Sequence, residues 1–294
     1  MNTETAELLC AINNEFYRVY GVSFAETRKA PWPGWERCLG FVNDLFVNKH
    51  QGSSTTEKLS VFDLACGNLR FAAFLRSALP KLPLTVYAVD NCDAMALLAL
   101  EEMPWVNYQN LDVVKALQTG TSFNDQLSAS VCDLSVSFGF MHHIPLQAYR
   151  EEILLSLVQQ TRPGGYVIVS FWQYLKNEVM AQKARDAHAK ALRELGLLPG
   201  TQANAQPGAQ PGAQPNAQPG TQLGSQLDPQ ELDDNDRLLG WENTPGAYRY
   251  CHSFSEAEID QLSAAVTDKA TVVAKFVSDG RTNDLNTYLV LRVL

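Results

Sequence analysis

Long apolar runs are missing from this sequence of 294 residues. No stretch approaches the ~18 uninterrupted apolar residues that a membrane-spanning helix needs. The first residues, MNTETAELL, have neither the basic start nor the apolar core of a signal peptide. We therefore expect a cytoplasmic protein with no membrane association.

Clustered cysteines are also missing. The 6 cysteines lie far apart, with no CxxC pair and no Cys/His group at zinc-binding spacing. This pattern predicts reduced thiols in the core of a cytosolic protein, and no structural metal site.

Positive charge is scarce, because 23 Lys and Arg residues face 32 Asp and Glu residues, for a net charge of -9. This balance argues against a protein that coats nucleic acid by bulk positive charge, although it leaves room for a local basic patch. The content of 46% hydrophobic and 19% charged residues is typical of soluble globular proteins. It excludes a collagen-like, wholly disordered or coiled-coil chain.

A compositional break runs from about residue 198 to 230, where Gln, Pro, Gly and Ala recur in units of four. The stretch between Gly200 and Leu227 carries no charged residue. Such a tract cannot bury a core, and its period is not the period of three that collagen needs. It predicts a disordered surface insertion, with partner binding by the prolines as the alternative.

Outside this tract, strand and helix patterns alternate. The predicted strands are LSVFDLA, LTVYAVD, WVNYQNLD, VCDLSVSFGF and YVIVSFW, with helical patterns between them. Alternation of this kind predicts a parallel sheet with helices on both faces, and ligands of such sheets bind at the carboxyl ends of the strands. Two closing runs, TVVAKFVS and NTYLVLRVL, predict an antiparallel hairpin at the sheet edge.

The organisation that follows is one domain in four parts. Helical patterns at 4–20 and 34–47, joined by a loop, form an N-terminal helical cap within residues 1–58. A core at 59–197, the insertion at 198–230 and a C-terminal part of the same domain at 231–294 complete it.

The first chemistry-bearing motif is Asp63–Arg70, DLACGNLR, a strand that ends in an acidic residue and turns into a helix. Gly67 stands where backbone must approach a ligand closely. Arg70 occupies the place of the third glycine of a dinucleotide fingerprint, so GxGxxG does not fit. The spacing resembles the Asp-x-Gly-x-Gly loop of S-adenosylmethionine-dependent methyltransferases, and an ordinary strand-helix turn is the alternative.

Two further carboxylates follow predicted strands. Asp90 ends the second strand, where a carboxylate can accept both hydrogen bonds of a ribose diol. Asp112 ends the third, where it can accept from an adenine amine or simply be a solvated loop residue. Together with Asp63, they favour a nucleoside site.

A histidine pair, His142 and His143, follows the fourth strand. Adjacent side chains diverge, and no carboxylate or cysteine cluster accompanies them in sequence, so we predict no metal here. One histidine is expected to face the substrate while the other packs or caps the next helix. The stretch Arg162–Gly165 is predicted to be a simple turn.

Three blocks resemble one methyltransferase family. Phe24–Pro33 is similar to the family's FSxTRxxPWP segment. Asp63–Arg70 is similar to its DLGCGNGR segment, and Ser137–His143 is similar to its SIAVIHH segment. Arg249–Phe254 is similar to its RYYHxF segment. This family methyl-esterifies 5-carboxymethyluridine at the wobble position of tRNA. The resemblance implies a Rossmann-like class I methyltransferase sheet, S-adenosylmethionine as cofactor, tRNA as partner, and a possible small zinc-binding activator subunit.

The motifs and the family resemblance together indicate which residues we expect to bind the cofactor and the substrate and to act in catalysis. A cation such as Arg28 or Arg249 suits a carboxylate acceptor, which His142 would orient, whereas an amine or hydroxyl acceptor would make His142 the base. Alternatives are a surface salt bridge from Arg28 to Glu26 or Glu36, core packing of Trp32, and internal hydrogen bonds of Tyr250 and His252. The expected residues are His142, Arg28 and Arg249 for catalysis; Asp63, Ala65, Gly67, Asp90, Asp112 and Phe138 for the cofactor; and Trp32, His143, Tyr250 and His252 for the substrate.

Two departures from the family pattern bear on activity. Ala65 and Leu69 replace loop glycines, and a Cβ at either place could crowd the cofactor or push the following helix outward. We expect Ala65 to be tolerated and Leu69 to point away from within the first helical turn. Two other functions stay open: a methyltransferase for a small carboxylate or other metabolite, and a non-catalytic scaffold with a degraded cofactor loop.

Overall fold

The computed structural model describes residues 1–50, 58–198, 223–242 and 244–294. Most of the tract predicted as a disordered insertion, residues 199–222, lies outside the described residues. Within the described ranges, no helix combines the length and the apolarity needed to cross a bilayer.

Helices and strands alternate through the first two thirds of the chain, as the patterns predicted. The helices are α1 Thr3–Glu26, α2 Pro33–His50, α3 Arg70–Ala78, α4 Asp93–Leu100, α5 Val113–Gln118, α6 Gln147–Gln159, α7 Glu178–Glu194 and α8 Glu256–Ala264. The strands are β1 Leu59–Leu64, β2 Leu84–Asp90, β3 Val106–Asn110, β4 Cys132–Ser137, β5 Thr161–Trp172, β6 Asp236–Gly240, β7 Tyr248–His252, β8 Ala270–Ser278 and β9 Asn286–Val293.

Seven strands form one sheet in the order β3-β2-β1-β4-β5-β9-β8. Strands β1 to β5 pair in parallel, and β9 and β8 close one side as an antiparallel hairpin. The Rossmann-like sheet with its antiparallel edge pair and N-terminal helices is therefore confirmed. The strand order reverses between β1 and β4, and ligands of such sheets bind at the carboxyl ends next to that reversal.

The central strands are buried on both faces, and polar residues within them such as Asp133 and Ser135 of β4 are hydrogen-bonded to other side chains. All six residues of β4 are buried. One apolar cluster lies on each face of the sheet: Trp35, Leu75 and Val290 belong to the first, and Phe62 and Leu154 to the second. Burial on both faces makes this sheet a rigid base for the loops at its carboxyl edge.

Two local predictions were wrong. Helix α1 continues through Glu26 rather than ending near Tyr20, because Phe24 packs edge-on against Phe16 and Tyr17, both about two turns back. The stretch Arg162–Gly165 belongs to β5, where the register against β4 shifts, rather than forming a turn before the strand.

A separate two-stranded sheet, β6 and β7, was not predicted from the sequence. Helix α1 packs against β7. This contact brings Arg249 on β7 next to the aromatic side chains of α1.

Candidate active site

A cavity of about 410 Å³ opens at the carboxyl ends of β1, β2 and β4. The cavity is lined by the loop after β1 within Asp63–Arg70, here called the cofactor loop, and by the loop after β4 that carries His142 and His143. Helix α1 and the segment that follows it also line the cavity. The volume lies in the range of small-molecule sites. Of the predicted site residues, all except Tyr250 and His252 line this cavity.

The cofactor loop has three residues in the left-handed region, Ala65 at φ 58°, Gly67 at φ 53° and Leu69 at φ 60°. Two of them carry a side chain, which costs about 1–2 kcal/mol each. Leu69 is the N-terminal cap of α3 rather than a residue of its first turn, and its side chain is buried in the core and does not line the cavity, in agreement with the expectation that it points away. Strain of this kind persists where function requires the loop shape.

Asp90 holds that loop in place. Its Oδ2 accepts from the backbone N–H of Gly67 at 2.8 Å, and its Oδ1 accepts from that of Cys92 at 2.9 Å. Burial raises the pKa of Asp90, while these two hydrogen bonds oppose the shift. The carboxylate lines the cavity at the end of β2, with lone pairs left for a ligand.

Asp63 is 2% exposed, and its Oδ2 has no hydrogen-bond partner among the described residues. Burial, and secondarily the charge of Asp90, raises its pKa to about 8. An orphaned carboxylate oxygen in a cavity suits a ligand with a positive charge. S-adenosylmethionine carries both an ammonium and a sulfonium group, so Asp63 and Asp90 fit this cofactor.

Asp112 and Phe138 also line the cavity. Asp112 lies two residues beyond β3, caps α5 by accepting from Lys115 N at 3.0 Å, and accepts from the side chain of Asn14 at 3.0 Å. The ring of Phe138 packs edge-on against Phe71 at 4.8 Å. Their assignment to the cofactor stays a prediction.

Two guanidinium groups line the cavity, one from the segment after α1 and one from β7. Arg28, after α1, stacks on Phe24 at 3.4 Å and donates to the carbonyl of Phe24 and the hydroxyl of Thr27. No salt bridge from Arg28 to Glu26 or Glu36 forms in the described structure. Arg249 is 7% exposed, and its Nη1 has no partner within the described chain. Burial, then the charge of Arg249, lowers the pKa of Arg28 to about 10.

The two histidines have different surroundings. His143 Nδ1 lies 2.9 Å from the carbonyl of Tyr250, and its Nε2 lies 2.8 Å from the hydroxyl of Tyr17. The Nδ1 of His142 has no partner in the described ranges, and its ring lies 5.0 Å from that of Trp172. Burial lowers the pKa of both, to about 3 for His143, so both are neutral near pH 7.

His142 is thus the histidine free to contact a ligand, whereas both ring nitrogens of His143 are engaged by the protein. The expected division of roles, one histidine facing the substrate and one packing, matches this geometry. The assignment of His143 to substrate binding is not supported by its contacts, because no ring nitrogen is left for a ligand.

His142, His143 and Cys251 place possible ligand atoms within 4.8 Å of one another, a grouping that the sequence did not predict. Burial raises the pKa of the Cys251 thiol to about 11, against a lowering by Arg249. The tyrosine carbonyl already engages His143 Nδ1. Two nearby guanidinium groups would also repel a cation, so the cluster is poorly suited to a metal.

Tyr250 and His252 lie away from the cavity, which contradicts their assignment to substrate binding. The hydroxyl of Tyr250 donates to Asp236 at 2.7 Å. His252 lies between Asp236 at 2.7 Å and Glu258 at 2.8 Å. Both side chains are buried in this hydrogen-bond network.

Trp32 combines two expected roles, since its ring stacks on Trp35 at 5.4 Å and also lines the cavity. The close approach depends on Gly139, because a Cβ there would lie 3.0 Å from the Trp32 ring. The aromatic pair therefore anchors the start of α2 beside the site.

Several cavity residues were missed by sequence reasoning, among them Asn13, Tyr17 and Trp172. Asn13 and Tyr17 are spaced by one helical turn, so they share one face of α1. Their polar character on that face was the available signal. Asn13 Oδ1 accepts from Tyr250 N at 2.7 Å and thereby fixes β7 against α1.

Comparison with known proteins identifies the core. Residues 62–169 match the family model described as a methyltransferase domain. The match covers 108 of the 294 residues and, together with the Rossmann-like sheet, indicates an S-adenosylmethionine-dependent methyltransferase. This range contains the cofactor loop, Asp90 and the histidine pair.

One solved structure with a TM-score above 0.5 shares this fold. This structure, from Methanosarcina mazei and described as an S-adenosylmethionine-dependent methyltransferase, has a TM-score of 0.52 at 13% identity and covers 85% of this chain and 97% of that chain. NodS from Bradyrhizobium japonicum, an N-methyltransferase in complex with S-adenosyl-L-homocysteine, has a TM-score of 0.46 at 10% identity, covering 93% and 98%. No curated protein sequence matches the chain significantly.

Proposed function

We propose that this methyltransferase esterifies a carboxylate. The observation that carries the proposal is the pair of cavity-lining guanidinium groups, Arg28 and Arg249, with the Nη1 of Arg249 unpartnered among the described residues. A guanidinium binds a carboxylate in a bidentate manner, and partial burial strengthens that pairing. An anionic acceptor relieves the repulsion between the two arginines.

The chemistry needs little from the protein beyond alignment. When bound, S-adenosylmethionine supplies a methyl group already activated by its sulfonium. A carboxylate is ionised near pH 7 and needs no general base. Arg249 and Arg28 hold its charge, and the neutral His142 donates one hydrogen bond that orients it for in-line attack.

For the acceptor, we propose the carboxymethyl group of a modified wobble uridine in tRNA. The support is the resemblance of Phe24–Pro33, Asp63–Arg70 and Arg249–Phe254 to the family that carries out this reaction. Two of these blocks contribute the paired arginines to one cavity. Since the net charge is -9, a small zinc-binding activator subunit is proposed to supply part of the tRNA-binding surface.

A small carboxylate metabolite is the second candidate acceptor. The observation that favours it is the overall acidity of the chain, because tRNA binding normally requires clustered Lys and Arg. Such an acceptor needs only the cavity and its arginine pair.

Methyl-labelled S-adenosylmethionine tests both candidates. The protein is incubated with total tRNA, alone and with a candidate activator subunit, and in parallel with ribonuclease-treated metabolite extract. Label in tRNA that mild alkali releases as methanol supports the tRNA ester. Alkali-labile label in the treated extract alone favours the metabolite, and alkali-stable label in either pool contradicts carboxylate esterification.

A further inference from the structure

The segment Thr27–Trp32, here called the cap segment, joins α1 to α2 and carries Arg28 and Trp32 into the cavity. Thr27 and residues 29–31 are exposed. Backbone that is exposed and lies outside helices and strands opens at low free-energy cost. What holds the cap segment therefore decides whether the acceptor side of the cavity is formed.

Two side chains of the cofactor loop reach up to the cap segment. Arg70 Nη1 donates to the carbonyl of Ala30 at 2.9 Å, and Asn68 Nδ2 makes a longer contact, 3.4 Å, to the carbonyl of Arg28. Arg70 Nε also donates to Asn68 Oδ1 at 3.2 Å, which links the two. The backbone at Arg28 and at Ala30, two residues further on, is thus tied to the cofactor loop.

The guanidinium of Arg70 also faces the rings of Trp32 and Trp35, at 5.8 Å and 5.5 Å. Arg70 is half-buried, so removing it takes away both donors and stacking area. Its position follows directly from the left-handed Leu69, which sets the direction in which α3 begins.

The far end of the cap segment has a different anchor. Gly34 N donates to Asp279 Oδ1 at 2.8 Å, and a Cβ at Gly34 would lie 2.4 Å from the ring of Tyr288. That end is therefore fixed to the sheet, whereas the middle of the segment depends on the cofactor loop.

We propose that Arg70 and Asn68 are positioning residues that couple the two halves of the site: cofactor bound on the loop orders the cap segment, which then presents Arg28 and Trp32 to the acceptor. The order of binding is cofactor first and acceptor second. This inference rests on the proposed function for the acceptor step alone, since the ordering of the cap segment needs no acceptor.

Hydrogen exchange of the cap-segment amides, with and without saturating S-adenosylhomocysteine, tests the coupling directly. In the wild-type protein, exchange is expected to slow by at least about 5-fold, the lower end of typical coupling factors. In Arg70→Met and in Asn68→Ala, the slowing is expected to fall below about 2-fold while calorimetry still shows binding. Unchanged protection in both variants, or none in the wild type despite binding, overturns the proposal.

Arg76→Met is the matched control. Arg76 lies on the same helix, stacks on Trp105 at 4.6 Å and donates to the carbonyl of Leu82 at 3.2 Å, outside the cavity. It makes the same two kinds of contact as Arg70, so its variant is expected to keep the wild-type protection. A loss of protection equal to that of Arg70→Met would assign the effect to general destabilisation and overturn the coupling role.

Steady-state kinetics with tRNA as acceptor adds a second readout. Arg70→Met is expected to raise the acceptor KM by at least about 5-fold, with a rise in cofactor Kd no larger than the lost coupling factor of about 5-fold, and Arg70→Lys is expected to recover part of the loss. A rise in cofactor Kd alone contradicts the proposal. Absence of transfer to any acceptor by the wild type would reject the proposed function, while the exchange experiment would still decide the coupling.

Discussion

Arg28 and Arg249 approach the same ring, that of Phe24, with guanidinium carbons 3.4 Å and 4.9 Å from its centroid. The aromatic face stabilises both cations but leaves their mutual repulsion uncompensated. Together with burial, this repulsion lowers the pKa of Arg28 to about 10. Such a pair is most stable when an anion binds between or beside the two groups.

Replacing Arg249 is expected to impair acceptor binding selectively. Arg249→Met removes one guanidinium and is expected to raise the acceptor KM at least about 10-fold, corresponding to ~1.4 kcal/mol. Binding of S-adenosylhomocysteine, measured by calorimetry, should change less than about 2-fold. The control is Arg237→Met on the neighbouring strand, whose side chain donates to backbone carbonyls away from the cavity. Equal effects of the two substitutions would contradict a direct role.

Asp63 predicts a pH dependence of stability. Its pKa is raised to about 8, so the folded protein keeps this proton to higher pH than the unfolded chain, where an aspartate titrates near about 3.9. Its stabilising contribution is therefore present below about pH 4 and is lost as the pH rises to about 8. Denaturant titrations should show Asp63→Asn gaining stability relative to wild type between pH 5 and 8. A constant difference would place the pKa of Asp63 near its ordinary value.

The same carboxyl predicts proton release on cofactor binding. A positively charged ligand in the cavity favours the ionised form of Asp63, which is largely protonated at pH 7. Calorimetry of S-adenosylmethionine binding in two buffers of different ionisation enthalpy should report release of close to one proton. Asp63→Asn should release none, and equal release by both proteins would assign the proton to another group.

Replacing Ala65 with glycine is expected not to destabilise the folded protein. Its φ of 58° carries a strain of about 1–2 kcal/mol, against which glycine adds about 0.4–1 kcal/mol of unfolded-state entropy. Ala65→Gly is therefore expected to leave the free energy of unfolding unchanged or raise it by up to about 1 kcal/mol. Ala73→Gly, within α3, should lower it by about 1 kcal/mol. Similar losses for both variants would show that the loop is not strained at Ala65.

Replacing Asp90 is expected to weaken cofactor binding. Asp90→Asn replaces a carboxylate oxygen with an amide that faces the N–H of Gly67 or Cys92, so the loop loses an acceptor. Affinity for S-adenosylhomocysteine should fall at least about 10-fold. Asp93→Asn is the control, because Asp93 accepts from Tyr108 and Asn110 outside the cavity. Retained affinity in Asp90→Asn would exclude Asp90 from the cofactor site.

Much of the cavity was predictable because it is built on local patterns. Asp63, Gly67, Asp90 and the histidine pair each follow a strand, and parallel strands bring their carboxyl ends to one edge. Residues on α1 were not predictable in the same way, since Asn13 and Tyr17 reach the site only because the helix packs across it.

Tyr250 and Arg249 show where sequence reasoning ends. They are neighbours on β7, and side chains alternate along a strand, so only one of them can face the cavity. The sequence placed both near a substrate, whereas packing of α1 on β7 turned Arg249 inward and left Tyr250 bonded to Asp236.

The sequence by itself determined the parallel sheet, its antiparallel edge pair and the strand-end carboxylates, because hydrophobic periodicity and turn residues act over a few neighbours. Only the tertiary structure decided which cations share a cavity and which histidine stays unpartnered among the described residues. Those outcomes depend on contacts between segments far apart in the chain, such as Arg249 with Phe16 and Phe24, and no local pattern encodes them.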